Sequence, residues 1–308
     1  MDTQSIRRVL RCAFLLSMTI VGQCSTLAAE ELLQERIPTK LIKAWADDKR
    51  LVGSPSLAWT DRTTITVAFN GGSDQIRQLI ADAASSWLDS SMPIKFSFKD
   101  KNDRWRTWSA KDKSSAATIR IAFSTKPEDG GYWSVIGRMT AIVPPNQQTM
   151  NLGDLETVLQ KWGDDSSPSW KRSYAHGTIV HEFGHALGLA HEHFHPECQS
   201  DLDVSKIIAY VKGPPNNWSE EQALFNIDAN YYFKASKTDQ GKAFPKQDNE
   251  PEIGPHIDQA SVMLYAFADD FYKSKSGSKC RPTDPEGYNP VASKGDYAAL
   301  KAFYPGGN

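Results

Sequence analysis

The segment 181–191, HEFGHALGLAH, restricts the possible folds of this 308-residue chain more than any other feature. His181 and His185 are four residues apart, and on a helix that spacing places both imidazoles on one face, one turn apart. Gly188 follows three residues later, where a left-handed helix cap favours glycine because a Cβ atom would clash. The motif therefore predicts a helix that ends at Gly188, after which the chain turns back and brings His191 towards the first two histidines.

Three histidines in this arrangement predict a catalytic zinc site. Two imidazoles one turn apart suit a single Zn²⁺, and His191 can supply the third nitrogen. Three protein ligands leave a fourth coordination position open, which is typical of catalytic rather than structural zinc. Glu182 follows the first ligand and is the predicted general base for a water molecule at that position. His193 and His195 also compete for the role of third ligand, but the spacing from Gly188 favours His191.

The clustering of histidine argues against the simplest alternative, an ordinary helix that carries surface histidines. Six of the seven histidines fall between His176 and His195. Chance would place the full set of motif residues in about 10⁻⁵ of such chains. His176 precedes the two helical ligands, and we expect it to have a packing or hydrogen-bonding role.

Alternation and helical periodicity predict an α/β (α+β) fold around this motif. Ser73 is the predicted N-cap of a helix whose apolar stripe runs from Ile76 to Leu88. The histidine motif predicts a second strong helix, with Ile179 and Phe183 on one face. Strands are predicted at 64–69, 94–98, 119–123 and 148–152, and shorter helices at 204–211 and 294–303.

The N-terminal residues 1–29 have the properties of a secretory signal peptide. Three arginines precede an apolar stretch over residues 12–22, which is too short to span a bilayer, and Ala28 lies in a small-residue cleavage site. We expect a secreted protein, extracellular or periplasmic, with residues 30–56 as a propeptide or N-terminal extension. An uncleaved anchor and a lipoprotein attached through Cys24 are the alternatives.

Cysteine and charge content narrow the class of protein further. Signal cleavage would leave Cys198 and Cys280 from the four cysteines, and an even pair in an exported protein indicates one disulfide. The formal net charge of -2 lacks the basic excess typical of nucleic-acid-binding proteins. No later segment is long and apolar enough to span a membrane. We expect a monomer that acts on a protein or peptide and binds no nucleic acid.

Together with the histidine motif 181–191, two further segments resemble the metzincin zinc peptidases, and within that clan the astacin-type peptidases. Residues 261–265, SVMLY, resemble the methionine-containing turn that lies beneath the metal in that clan. Residues 132–138, YWSVIGR, resemble an aromatic-Ser-x-Val-Gly-Arg segment of the astacin type, and Glu192 matches the glutamate that follows its third ligand. The resemblance covers about residues 57–305.

The chain also departs from the astacin-type pattern. His195 and Leu264 replace, respectively, an arginine after the third ligand and a histidine after the turn methionine. The additional cysteines of the family are missing, and residues 154–170 and 236–258 resemble insertions. The chain is therefore most similar to a reduced, bacterial-like form of the family.

The resemblance implies a metzincin-like catalytic domain over residues 57–308. Its upper part, 57–190, would carry a twisted mixed sheet and two long helices above an irregular lower part, 191–308, with Zn²⁺ between them. It also implies that Met263 packs under the metal without ligating it, and that Tyr265 moves from the zinc to the oxyanion. An extended substrate is expected to pair with the edge of the sheet at residues 148–152.

The function implied is that of a secreted zinc-dependent endopeptidase with a zinc-activated water and Glu182 as general base. The principal alternative is an exported zinc-binding effector or adhesin without turnover. A zinc hydrolase that acts on bonds other than peptides is a third class.

Overall fold

The computed structural model describes residues 37–42, 58–59, 63–159, 168–214, 216–235, 256–285 and 287–304. The predicted signal peptide, most of the expected propeptide and most of the second suspected insertion lie outside these ranges. Within them, no helix combines the length and the apolar character required to cross a membrane.

Five short strands form one mixed sheet in the order β2-β1-β3-β5-β4. The strands are β1 (Thr64–Asn70), β2 (Lys95–Ser97), β3 (Ile119–Ala122), β4 (Tyr132–Ser134) and β5 (Met150–Leu152). All pairs are parallel except β4 with β5. The four predicted strands are confirmed. Strand β4 was not predicted, because its three residues are all buried and show no alternation.

The prediction that residues 148–152 form the substrate-binding edge of the sheet is wrong. Strand β5 lies inside the sheet, where Met150 is in register with Ile121 of β3 on one side and with Ser134 of β4 on the other. Both sides of residues 150–152 are therefore already paired. The outer strand on this side of the sheet is β4, the strand that residue patterning could not reveal.

The helices are α1 (Asp74–Ser85), α2 (Leu155–Leu159), α3 (Pro168–Lys171), α4 (Tyr174–Ala186), α5 (Pro196–Asp201), α6 (Val204–Lys212), α7 (Glu220–Ile227), α8 (Ala229–Ala235) and α9 (Lys294–Phe303). Short 3₁₀ helices cover Gly137–Ile142, Glu192–Phe194, Asp269–Phe271 and Lys275–Gly277. The predicted α/β fold, with two long helices at α1 and α4, is confirmed.

The two long helices are held together beyond the end of α1. Ser73 caps α1 as predicted, because its Oγ accepts a hydrogen bond from Ile76 N. The helix ends at Ser85, so Trp87 lies beyond it rather than in its last turn. Trp87 is nevertheless fully buried, and its Nε1 donates to Val180 O of α4 at 2.7 Å. This contact ties the loop after α1 to the helix that carries the histidines.

Two apolar clusters flank the histidine motif. The larger lies between the sheet, α1 and α4. The second contains the predicted disulfide, which joins buried Cys198 to Cys280 across 82 residues. This bond connects α5, just after the motif, to the segment that follows the methionine turn.

A short part of the expected propeptide packs on the rest of the protein. Ile37, Leu41 and Ile42 are buried in a third cluster that includes Trp133 of β4 and Phe225 of α7. The carbonyl oxygen of Ile37 accepts a hydrogen bond from the Gln222 side chain at 3.1 Å. The proposed start of the catalytic domain at residue 57 stays a prediction.

Candidate metal centre

Helix α4 presents two of the three histidines and ends where the motif predicts. Gly188 has a φ of 103°, in the left-handed region. Its N–H donates to His185 O at 2.8 Å, and Leu189 N donates to Gly184 O at 3.0 Å. This pair of bonds is the standard closure of a helix by a left-handed glycine. The reversal carries the chain back to His191.

The nitrogens of the three predicted ligands converge on one point. His185 Nε2 lies 3.1 Å from His181 Nε2 and 3.1 Å from His191 Nε2. The candidate ligand atoms of all three rings are within 4.8 Å of one another. His185 and His191 are buried, whereas His181 is partly exposed. The structure thus brings together the ligand set predicted from spacing.

The hydrogen bonds of His181 and His185 indicate that their Nε2 atoms suit a cation. These bonds are made by Nδ1, on the side of each ring that faces away from the triad. His181 Nδ1 lies 2.7 Å from Val262 O, and His185 Nδ1 lies 2.8 Å from Leu189 O. Because a carbonyl oxygen only accepts, each Nδ1 carries a proton, and each neutral ring turns an unprotonated Nε2 towards the triad. Two such nitrogens repel each other unless a cation lies between them. Zn–N bonds of about 2.0–2.1 Å in a tetrahedral site separate nitrogens by roughly 3.3 Å, close to the observed spacing.

Glu182 follows the first ligand on α4 and is 1% exposed. A buried carboxylate is costly unless an opposite charge or hydrogen bonds compensate it. A divalent cation at the neighbouring triad would supply such a charge. The position and burial of Glu182 are therefore consistent with a carboxylate that acts beside a metal.

The SVMLY segment forms a tight turn against α4. Met263 N donates to Ser261 Oγ at 3.0 Å, and Leu264 N donates to Ser261 O at 3.2 Å. A Cβ atom on Gly184 would lie 2.5 Å from Met263 Sδ, so any larger residue would displace the methionine where the turn meets the helix. Glu192 N also donates to Met263 O at 2.9 Å. The turn thus contacts the histidine motif both within α4 and just after the third ligand.

Asp296 at the start of α9 anchors this turn, a role that the sequence analysis did not predict. Its carboxylate accepts from Ser261 Oγ at 2.6 Å and from Val262 N at 2.9 Å. It also accepts from Ser293 N at 2.8 Å. Burial raises the pKa of Asp296, and these three donors compensate part of the cost of the buried charge. The available signal was the spacing Ser293-x-x-Asp296, which forms a capping box for α9.

Tyr265 lies beside the triad and is 3% exposed. Its ring centroid is 4.3 Å from that of His191 and 6.0 Å from that of His181. His193 stacks with Tyr265 at 4.5 Å, with an angle of 22° between the rings. The Nε2 atom of His193 lies 2.9 Å from Asn226 O. His193 thus packs against the tyrosine, outside the ligand cluster.

The other two histidines near the motif also have structural roles. His195 Nδ1 accepts from Glu197 N at 3.2 Å and so caps α5. His176 Nδ1 lies 2.9 Å from Pro290 O, and its ring packs against the edge of Trp170. The packing and hydrogen-bonding role predicted for His176 is confirmed.

Solved structures give the comparison with known proteins. A structure of myroilysin is 26% identical in sequence to this chain, with a TM-score of 0.54. The alignment covers 82% of this chain and 97% of the myroilysin chain. A crystal structure of myroilysin is 28% identical over 81% and 86% of the two chains, with a TM-score of 0.48. High choriolytic enzyme 1, a hatching enzyme zinc-protease from the medaka fish Oryzias latipes, is 18% identical over 81% and 94%, with a TM-score of 0.40.

No protein-family profile and no curated protein sequence matches the chain. The first of the three likenesses spans almost all of the neighbour's chain, and the histidine triad adds the geometry of a metal site. By its fold and by this triad, the chain is a metallopeptidase similar to the astacin-type zinc endopeptidases.

Proposed function

We propose that this chain is a secreted endopeptidase that uses Zn²⁺ to hydrolyse peptide bonds within protein substrates. The observation that carries the proposal is the convergence of three Nε2 atoms, two of which belong to rings whose Nδ1 faces a carbonyl oxygen, so that the neutral ring directs a lone pair on Nε2 towards the triad. His181, His185 and His191 would hold the metal. Zinc bound there would polarise the scissile carbonyl and lower the pKa of a water molecule.

Glu182 is the proposed general base. It removes a proton from the attacking water and then delivers that proton to the leaving nitrogen. Its position next to His181 on α4 supports this role, as does its burial, because the carboxylate lies beside the proposed metal site and away from bulk water.

Tyr265 is the proposed donor to the developing oxyanion. Its packing against both His191 and His193 supports this role, because the two rings restrict where the hydroxyl can point. A preorganised donor stabilises charge in the transition state without reorganising at the moment of reaction.

Secretion is part of the proposal, with residues 1–29 as the signal peptide. The buried Cys198–Cys280 disulfide supports it, because such bonds persist in oxidising compartments. We propose an extracellular or periplasmic monomer.

Digestion of casein by the purified mature protein tests the function. We expect cleavage that a chelator abolishes and that added zinc restores. An effector or adhesin without turnover would bind zinc in the same assay and leave casein intact, and a hydrolase of another bond type would do likewise. Intact casein with a fully zinc-loaded protein would therefore contradict the proposal.

A further inference from the structure

A pocket opens next to His181 and Tyr265, on the side of α4 that faces the methionine turn. Residues from four separate parts of the chain line it: strand β4, the first half of α4, the turn, and the segment before α9. Because one metal ligand and the proposed oxyanion donor both line it, a side chain next to the cleaved bond can enter it. The inference below rests on the proposed function.

Three tyrosines form a continuous aromatic wall of this pocket. Tyr174 contacts Tyr288 edge to face at 5.6 Å and Tyr132 edge to face at 6.3 Å. Two of the hydroxyls bond to groups outside the pocket lining: Tyr288 OH donates to Arg172 O at 3.1 Å, and Tyr132 OH donates to Asp154. The rings thus provide apolar surface for a substrate side chain.

The lining that comes from the methionine turn and from Asn289 is also neutral. Val262 and Leu264 of the turn are apolar, and Leu264 replaces the histidine that astacin-type peptidases carry at this position. Asn289 directs its Nδ2 to Gln259 O and Ser261 O, both at 2.8 Å. Both hydrogens of its amide group therefore bond to the turn and to the segment just before it.

Apart from His181, the residues that line the pocket carry no ionisable acid or base other than tyrosine. The charged groups near the tyrosine wall lie behind the rings: Arg172 pairs with Asp284 at 2.7 Å, and Asp154 accepts from the Tyr132 hydroxyl. A charged substrate side chain that entered the pocket would lose its hydration without meeting a counter-charge among the lining residues. An aromatic or large aliphatic side chain would bury apolar area against the three rings.

We propose that this pocket determines specificity, and that the enzyme cleaves next to an aromatic or large aliphatic residue and discriminates against acidic and basic ones. Tyr288 is the proposed specificity-determining residue. It is partly exposed at the pocket wall, and its ring contacts Tyr174.

The test uses peptides that are identical except at the two positions flanking the scissile bond, where Phe, Leu, Asp or Lys is placed. Cleavage sites are read by mass spectrometry, and kcat/KM is measured for each peptide. At one of the two positions, we expect Phe and Leu to exceed Asp and Lys by about 10- to 100-fold. Equal rates, or a preference for a charged residue at both positions, would overturn the inference.

Variants of Tyr288 test whether this residue determines the preference for an apolar side chain. Tyr288→Arg should lower the ratio of Phe to Asp at least tenfold, because the new cation pairs with an acidic side chain. The matched control Tyr288→Phe keeps the ring and loses only the hydroxyl, so it should keep the preference. Melting temperatures confirm that both variants are folded. A Tyr288→Arg enzyme with an unchanged ratio would contradict the role of this residue.

A binding measurement separates the inference from the proposed function. The Glu182→Gln protein is titrated calorimetrically with the same peptides, and the affinities should follow the same order without turnover. If the wild type cleaves casein but shows no such order in either assay, only the specificity inference fails. If it cleaves neither casein nor any peptide, the proposed function fails. The order of the peptide affinities alone then shows whether the pocket prefers apolar side chains.

Discussion

His181 Nδ1 lies 2.7 Å from the carbonyl oxygen of Val262, a residue 81 positions further along the chain. Because the carbonyl can only accept, this bond fixes the tautomer of the first candidate ligand and turns its Nε2 towards the other two. It also joins the metal-site helix to the methionine turn, so the orientation of the imidazole depends on a turn that is distant in sequence.

Replacing one ligand should remove the metal. We expect one zinc per mature chain in the wild type and none in His185→Ala, because two imidazoles bind Zn²⁺ far more weakly than three. Elemental analysis after zinc reconstitution measures this content. His195→Ala is the matched control, since His195 caps α5 and lies outside the triad, and this variant should keep its zinc. A wild-type protein that takes up no stoichiometric metal would refute the site.

The anchor of the turn should contribute to stability. In Asp296→Asn, the amide oxygen can still accept from Val262 N and Ser293 N, which now share Oδ2, but the NH₂ group would face the Ser261 hydroxyl that donates to Oδ1. A lost buried hydrogen bond with an unsatisfied donor costs about 1–3 kcal/mol. Urea unfolding measures the free energy. Asp74→Asn changes an exposed carboxylate and should stay within about 0.5 kcal/mol of the wild type. Equal stabilities of the two variants would argue against an anchoring role.

Removal of the disulfide should destabilise the protein strongly. Cys198 and Cys280 close a loop with a sequence separation of 82 residues, which corresponds to about 4–5 kcal/mol in the chain-entropy model. The double variant Cys198→Ala with Cys280→Ala should lose stability of this order in urea unfolding. Alkylation of the denatured, unreduced wild type should modify neither cysteine; if both react, the bond does not exist in the protein.

The parts of the site that lie close together in sequence could be predicted. Helix geometry follows directly from the spacing of His181, His185 and Gly188. The two histidines are one helical turn apart, and the glycine is at the position of a helix cap. The periodicity of α1 and the alternation in β1 fixed those elements for the same reason, as each buries one face. Local patterns therefore predicted both the ligand helix and the fold class.

The parts that depend on contacts distant in sequence could not be predicted. Strand β4 has three buried residues, too few to show a period, and its absence from the prediction made β5 an apparent edge. Asp296 and Tyr288 reach the site only because α9 and the segment before it pack against the methionine turn. His193 and His195 remained competitors for the third ligand, although the spacing from Gly188 favoured His191, because the choice between them depends on how the chain returns to the helix.

Glu182→Gln should nearly abolish cleavage while zinc remains bound. The amide keeps the size of the side chain but cannot accept the proton that the mechanism transfers at every turnover. Peptide kinetics and zinc analysis on the same preparation measure both properties. Glu220→Gln on α7 is a control at an exposed carboxylate and should have wild-type kcat. A Glu182→Gln enzyme that still cleaves well would overturn the proposed role.

Tyr265→Phe should leave weak but measurable activity, with the loss mainly in kcat. One oxyanion donor is typically worth ~10²–10³ in rate, and its bond strengthens only in the transition state. The variant keeps the ring that stacks with His193, so its melting temperature should change little. Tyr272→Phe is the matched control: it lies in the same apolar cluster, its hydroxyl accepts from Phe267 N at 3.0 Å, and burial raises its pKa to about 12. That variant should lose about 1 kcal/mol of stability and keep its kcat. If Tyr265→Phe instead behaves like this control, Tyr265 is a core aromatic residue and has no part in stabilising the oxyanion.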